Sequence, residues 1–210
     1  MSIPLSSWMA QRTPPIRLEE GRVLTIATDG VSAGKSHVMA IGIVPLTADP
    51  PEFIYVAGGD LEATKDITGI VPKFYFAHMV GPARAQEILT EKLEGVNYLV
   101  SHSVANFLRR WLTEPAQETL TLLRGFPVFD TIMYLKLRDA GIDLGVCPGK
   151  DMSELLEWME KSGNWRGSQG YSLDAVLNRV IGDAPDDTAR NRFEARALDT
   201  RRLFLTLMVM

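Results

Sequence analysis

The sequence predicts an α/β fold built on a mixed sheet. Two observations carry this prediction: three consecutive strand patterns in the first quarter of the chain, and an alternation of helical and strand patterns directly after them. The remaining half of the chain has a mostly helical pattern. Together these features favour one α/β domain over an all-helical or all-β protein.

The first three predicted strands are joined by short turns. Each segment is rich in β-branched or apolar residues and is bounded by Gly, Pro or Asp, which commonly end strands. We therefore expect a meander with strands over residues 23–29, 37–46 and 53–56.

Helical spacing appears next and alternates with a strand pattern. Residues 83–93 have helical spacing, residues 98–101 form a short apolar run, and residues 104–112 are helical again. An order of three strands, a helix, a strand and a helix is typical of a mixed α/β sheet.

The second half carries one further short strand, over residues 127–130, and two loops, over 141–150 and 163–170. The residues before the first strand, 1–20, contain three prolines and have mixed polarity, so we expect an extended arm there. Helices are predicted over residues 131–139, 153–161, 172–180 and 188–208.

Size and composition favour a single domain over residues 21–210. The chain has 210 residues, of which 46% are hydrophobic and 23% are charged, enough to bury one sizeable core.

A net charge of -4 gives no overall attraction for phosphate, so nucleic-acid binding requires a local basic patch. Cys147 is the only cysteine, which excludes an internal disulfide framework. No signal-peptide layout or membrane-length apolar stretch is present, so we expect a cytoplasmic protein with no membrane partner.

The end of the first predicted strand has the spacing of a two-acid metal site. Side chains alternate along a strand, so Ala27 and Asp29 are expected on the same face near its carboxyl end. Two acids at this spacing can bind divalent ions, since Mg²⁺ prefers oxygen ligands. Alanine supplies no ligand, so this pair provides only one acid.

Four segments in order resemble the motifs of the DEDD (DnaQ-like) family of 3'-to-5' exonucleases, which includes the proofreading epsilon subunit of bacterial DNA polymerase III. They are RVLTIATDGVSAGKSHVMAIGIV from residue 22, LVSHSVANFLRRWL from 99, FPVFDTIMYL from 126, and a final region over 171–204 that contains EARALD. The resemblance implies an RNase H-like α/β fold, with a mixed sheet of about five strands flanked by helices.

The resemblance also implies a degenerate active site. In the family, four acids bind two magnesium ions and a histidine acts as the general base. At the corresponding positions this sequence has Ala27, Asp29, Leu108 and Asp199, with Glu194 in place of the base. Asp29 and Asp199 would hold at most one weakly bound Mg²⁺ or Mn²⁺ ion. If the chain is inactive, no cofactor is expected.

Two other features have plainer interpretations. Asp130 is expected to cap the following helix rather than bind metal, because its side chain can accept from the next backbone amides.

Residues 30–36, GVSAGKS, are similar to a phosphate-binding loop. The spacing is one residue short, however, and a strand pattern follows where phosphate binding needs a helix. We expect a reverse turn there.

Nucleic-acid contacts are expected from His102, Arg109 and Arg196. The resemblance implies that His102 lies near the vestigial site, where it either contacts phosphate or hydrogen-bonds within the structure. The two arginines belong to a set that forms either a basic rim along a nucleic-acid backbone or a solvated helix face paired with Glu194 and neighbouring acids. The other members of the set are Arg110, Arg190, Arg192, Arg201 and Arg202.

Three functions remain open on the sequence. The leading hypothesis is an exonuclease-like protein that has lost 3'-to-5' exonuclease activity and binds single-stranded nucleic acid, or a protein partner of replication or mobile-element origin. The second is an active metal-dependent exonuclease with an unusual site of Asp29, Glu194 and Asp199. The third is a structural or inhibitory protein-binding module. The sequence leaves open whether the chain is an enzyme, and its oligomeric state.

Overall fold

A computed structural model of the chain describes residues 17–29, 37–62, 65–102, 126, 128–139, 170–182, 189 and 191–209. Some predicted elements lie outside the described residues. They are most of the arm over 1–20, the turn over 30–36, the helices over 104–112 and 153–161, the loop over 141–150 and nearly all of the loop over 163–170.

The described chain contains one mixed sheet of five strands. The strands are β1 (Gly21–Thr28), β2 (Val38–Pro45), β3 (Glu52–Tyr55), β4 (Tyr98–Ser101) and β5 (Val128–Asp130). They lie in the order β3-β2-β1-β4-β5, with β2 antiparallel to both β1 and β3, and β4 parallel to both β1 and β5. The predicted meander therefore forms three of the five strands.

Helices connect and cover these strands. A 3-10 turn over Leu18–Glu20 precedes β1, and the α-helices of the described ranges are α1 (Lys65–Thr68), α2 (Pro72–His78), α3 (Pro82–Lys92), α4 (Thr131–Asp139), α5 (Leu173–Val180) and α6 (Arg192–Val209). Proline stands in the first turn of both α2 and α3, where its missing N–H removes no helical hydrogen bond. Helix α3 packs on β3, α4 on β5, and α6 on β1, β2 and β4.

The central strands are buried on both faces. Val23 and Leu24 are neighbours in β1 whose side chains point to opposite faces, and both are fully buried. Every residue of β2 is also buried, which explains its continuous apolar run. Gly21 opens β1 beside Tyr98 of β4, whose ring would collide with a Cβ atom at this position. Any larger residue at position 21 would therefore require the Tyr98 ring to move.

Four strands end at one edge of the sheet. Strands β1 and β3 run in the same direction because both are antiparallel to β2, and β4 and β5 run parallel to β1. We call this edge the carboxyl edge; its strands end at Thr28, Tyr55, Ser101 and Asp130. Ligand sites of open α/β sheets lie outside the carboxyl ends of the strands.

Helix α6 contributes to both hydrophobic clusters of the core. Its first turn places Phe193 in the smaller cluster with Ala27, Ala40 and Tyr55, whereas Leu203 and later apolar residues pack in the larger one. The amino end of α6 is therefore held against the end of β1.

The predicted α/β class, a mixed sheet of about five strands flanked by helices, is confirmed. The order and directions of the strands are consistent with the RNase H-like arrangement that the resemblance implies.

Helices α1 and α2 lie in a stretch where the sequence pattern indicated no helix or strand. Helix α6 starts at Arg192 rather than at residue 188, because the Asn191 side-chain oxygen accepts from the Glu194 amide at 2.9 Å and caps it there. Within the described ranges, no helix has the length and apolar content needed to cross a membrane.

Candidate functional site

Ala27 lies in a row of side chains that crosses the first three strands. It pairs with Ala40 of β2, which in turn pairs with Tyr55 of β3, so the three side chains share one face of the sheet. Ala27 is 8% exposed and belongs to the same apolar cluster as Phe193 of α6. Ala27 therefore lies in a cluster of apolar and aromatic side chains.

Asp29 follows β1 and is buried against protein donors. Its Oδ1 accepts from the His37 backbone amide at 3.0 Å, and its Oδ2 lies 2.9 Å from Nδ1 of the same histidine. The Asp60 backbone amide approaches Oδ2 at 3.4 Å. A carboxylate only accepts, so Nδ1 of His37 carries the proton and donates it. Asp29 therefore joins the ends of β1 and β2 and links them to the segment after β3.

Glu194 is buried at the start of α6 and hydrogen-bonded to the sheet. The Tyr55 hydroxyl donates to its Oε1 at 2.7 Å, and the Asn191 side-chain amide donates to the Tyr55 hydroxyl at 3.1 Å. The Asn191 side-chain oxygen accepts from the Glu194 backbone amide. These three bonds form a closed ring between β3 and α6. A carboxylate in the first turn also interacts favourably with the helix dipole.

Asp199 is buried about one and a half turns further along α6. Its Oδ1 accepts from the Arg202 guanidinium at 3.1 Å, and 32% of the arginine side chain is exposed. A spacing of three residues is the ordinary geometry of an ion pair on one helix face. Asp199 therefore has a cationic partner within its own helix.

The carboxylates of the described residues do not fit a two-metal site. Asp29, Glu194 and Asp199 each have separate protein partners. In the part of the chain that the structure describes, no group of three or more His, Cys, Asp or Glu side chains is arranged to hold a metal ion. Two magnesium ions that share a bridging carboxylate need clustered carboxylate oxygens, and the methyl group of Ala27 supplies none. Leu108, the other predicted degenerate position, lies outside the described residues.

His102 follows β4 and is enclosed at the carboxyl edge. Its Nδ1 lies 2.7 Å from the Thr131 hydroxyl, and its Nε2 lies 3.0 Å from the Tyr171 carbonyl oxygen. Burial lowers the pKa of His102 from 6.5 to about 4. The hydrogen bond to Tyr171 opposes this change, the positive charge of Arg196 adds to it, and Asp174 opposes it. His102 is therefore neutral at pH 7.

The neutral imidazole determines which groups donate around His102. A carbonyl oxygen only accepts, so Nε2 carries the proton and donates to Tyr171. Nδ1 is then an acceptor, and the Thr131 hydroxyl donates to it. The same hydroxyl lies 3.1 Å from the Ser101 carbonyl oxygen, which is a second acceptor for its one proton. Both ring nitrogens of His102 are thus engaged by the protein.

Asp130 has the capping geometry expected from the sequence. Its Oδ1 accepts from the backbone amides of Ile132 at 2.9 Å and Met133 at 3.4 Å, which are free donors in the first turn of α4. The residue is 3% exposed. Its carboxylate is therefore committed to the start of a helix.

The arginines of α6 have different surroundings. Arg196 is exposed and lies close enough to His102 to lower its pKa, so two of the predicted nucleic-acid contacts are near each other. Arg192 donates to the Asp66 carbonyl at 3.2 Å, and Arg201 approaches the Thr47 carbonyl at 3.4 Å. Three members of the predicted basic set, Arg109, Arg110 and Arg190, lie outside the described residues.

Three residues that complete this edge were not singled out from the sequence: His37, Tyr55 and Asn191. The hairpin register, which pairs Thr28 with Val38, sets His37 opposite Asp29 and could have been used to find it. The Asn-x-x-Glu pattern that starts at Asn191 is a helix-start signature. Tyr55 offered no local signal, because its partner lies 139 positions away.

Comparisons with known proteins assign no family. No protein-family model matches the chain, and no curated protein matches it. A solved structure described as that of exonuclease I is similar, with 14% sequence identity and a TM-score of 0.45. The similarity covers 88% of this chain and 42% of that one, so this chain spans less than half of that protein's length. A similarity of this degree identifies neither activity nor substrate.

Proposed function

We propose that this protein binds single-stranded nucleic acid through an exonuclease-like fold and does not hydrolyse it. The observation that carries the proposal is the apolar environment of Ala27 at the carboxyl edge. In the motif that this strand resembles, the same position holds an acid that bridges two magnesium ions. Without that acid, β1 supplies no ligand for the pair of metal ions that would activate a water.

The surroundings of Glu194 support the same conclusion. A general base must lie within hydrogen-bond reach of the group whose proton it takes. Glu194 is 3% exposed, and its carboxylate accepts from the Tyr55 hydroxyl in a ring completed by Asn191. An acid held in this way stabilises the start of α6 and is poorly positioned to deprotonate a water in an open cleft.

Exposed cations near the carboxyl edge support a role in binding. The net charge of -4 means that attraction for phosphate must be local. Arg192 and Arg196 are exposed on the first two turns of α6, the helix that packs on β1, β2 and β4. Guanidinium groups bind phosphate well because their donors match its oxygens. These two residues form part of the local basic patch that we propose.

A nuclease assay tests the loss of hydrolysis. Labelled single-stranded DNA and RNA are incubated with Mg²⁺ or Mn²⁺ and with the wild type, Asp199→Ala, and the double variant Ala27→Asp with Leu108→Asp. Arg202→Ala is the matched control for Asp199→Ala, because it breaks the same ion pair but keeps the carboxylate. We expect no digestion by the wild type. Digestion that disappears in Asp199→Ala and persists in Arg202→Ala would instead establish an active enzyme.

A binding assay tests the positive half of the proposal. Fluorescence anisotropy with labelled single strands should show binding that weakens as salt rises, because phosphate contacts release counterions. Arg196→Glu should weaken binding, whereas Arg84→Glu, on the surface of α3, should not. If neither DNA nor RNA binds at low salt while one protein co-purifies, the protein-binding hypothesis replaces this one.

A further inference from the structure

A groove lies between helix α2 and the residue that caps α6. It has a volume of about 470 Å³, and it is lined by Val71, Lys73, Phe74, Ala77, His78 and Asn191. Sites for small ligands typically have volumes of about 300 to 1,000 Å³, with apolar walls and a few polar groups. The groove therefore has the size and lining of a site for a small planar group.

Two aromatic rings form one wall of the groove. Phe74 and His78 are stacked, with ring centroids 4.1 Å apart and an angle of 24° between the planes. The stack is held by Nδ1 of His78, which donates to the Phe74 carbonyl at 2.8 Å. Nucleic-acid bases stack on such rings in proteins that bind single strands.

The side-chain amide of Asn191 lines the groove and is held in one orientation by its hydrogen bonds. One hydrogen of its amide nitrogen goes to Tyr55, and one lone pair of its oxygen accepts from Glu194. An amide has two N–H donors and two acceptor lone pairs, so the bonds among the described residues leave one of each for a ligand. An adjacent donor and acceptor is the pattern with which asparagine pairs with a base edge. The ring with Tyr55 and Glu194 thus orients this amide before any ligand arrives.

Lys73 supplies a cation at the same groove. It is exposed, and within the described ranges it forms no ion pair. A phosphate attached to a base in the groove would therefore meet an exposed ammonium group. The groove combines a stacking wall, an oriented amide and a cation.

We propose that this groove binds one base and the adjacent phosphate of a single-stranded nucleic acid. This inference deepens the proposed function and rests on it. The base stacks on the Phe74 and His78 pair, Asn191 hydrogen-bonds its edge, and Lys73 contacts the phosphate. The occupant is nucleic acid rather than an apolar peptide, because the lining pairs an exposed ammonium group with a polar amide.

The test measures the affinity of labelled single strands of about 12 nucleotides by fluorescence anisotropy. The variants are His78→Ala, Lys73→Glu and Ala77→Trp, which respectively remove a stacking ring, reverse the cation and fill the groove. All three residues are exposed, so the fold should tolerate these changes. Arg84→Glu is the control, since it reverses an exposed cation outside the groove. We expect each groove variant to raise the Kd about tenfold and the control to change it by less than twofold.

The outcomes separate this inference from the proposed function. If the wild type binds single strands and the groove variants bind equally well, the groove is not the site, although the proposed function stands. If the wild type binds no single strand at low salt, both fail. A mononucleotide should compete with the labelled strand, whereas ribose 5-phosphate should not. Equal competition by the two would show that the groove does not bind the base.

Discussion

The Tyr55 hydroxyl donates to the Glu194 carboxylate at 2.7 Å and so joins the last residue of β3 to the first turn of α6. Both residues are only 3% exposed. A buried carboxylate costs free energy unless protein donors replace its water, so this bond stabilises the position of α6 on the sheet. Asn191 binds both partners and caps the helix at the same time. A single network therefore orients the helix and one wall of the proposed groove.

Removing the Tyr55 hydroxyl should destabilise the protein. In Tyr55→Phe the Glu194 carboxylate loses a buried donor, and we expect the free energy of unfolding to fall by about 1–3 kcal/mol. Urea denaturation followed by circular dichroism measures this. Tyr171→Phe is the matched control, because its hydroxyl donates at 2.8 Å to the exposed Asp139 and its loss should cost about 0.5 kcal/mol or less. Equal losses in the two variants would contradict a special role for the buried bond.

Restoring the missing acid on β1 should destabilise the fold. Ala27→Asp places a carboxylate in an apolar cluster, and we expect a loss of about 3 kcal/mol in the free energy of unfolding. Ala27→Asn is nearly the same size and uncharged, so the difference between the two variants isolates the charge. Thermal denaturation with and without Mg²⁺ is the measurement. A rise in Tm with Mg²⁺ confined to Ala27→Asp would show that a metal site can still be assembled there.

Stability should depend on the protonation of His102. The pKa is about 4 in the folded protein and near 6.5 when unfolded, so the unfolded chain binds the proton first as pH falls. The stabilising contribution is complete above pH 6.5, declines between pH 6.5 and 4, and amounts to about 3 kcal/mol. Urea denaturation across this range should show a smaller decline for His102→Gln than for the wild type. His78→Gln, at an exposed histidine, is the control and should follow the wild type.

Asp130 should behave as a helix cap. Asp130→Ala removes the acceptor for two amides of α4 and should lower the free energy of unfolding by about 1–2 kcal/mol. Asp130→Asn keeps a capping oxygen and should cost much less. Chemical denaturation of the two variants distinguishes these effects. A larger loss in Asp130→Asn than in Asp130→Ala would mean that the negative charge, and not the cap, is what the site requires.

The fold was largely predictable because its signals are local. The run VMAIGIV in β2 identifies a strand covered on both faces, and the Asp130–Thr131 junction marks where β5 ends and α4 begins. The short helices α1 and α2 were not predicted. Their sequences have no marked helical periodicity, and α2 is defined by packing, with Tyr75 buried and Phe76 exposed.

The candidate site was predictable only in part. The order of the motifs marks Asp29, Glu194 and Asp199 as candidates, and the alternation of a strand marks Ala27. Their partners depend on contacts between distant segments, and these are decided by how α6 lies on the sheet. Even where a local signal existed, as for His37 and Asn191, it indicated a turn or a helix start and not a bond to a candidate acid.

The sequence alone determined the α/β class, the meander of β1 to β3, and the absence of an acid at Ala27, because these follow from side-chain chemistry and short-range periodicity. The tertiary structure decided the rest. Only the packing of α6 against β1 and β3 shows that Ala27 and Phe193 share an apolar cluster, that Tyr55 hydrogen-bonds to Glu194, and that Asn191 lines a groove with α2. Long-range hydrogen bonds and buried contacts leave no periodic trace in the sequence, since each depends on residues more than a hundred positions apart.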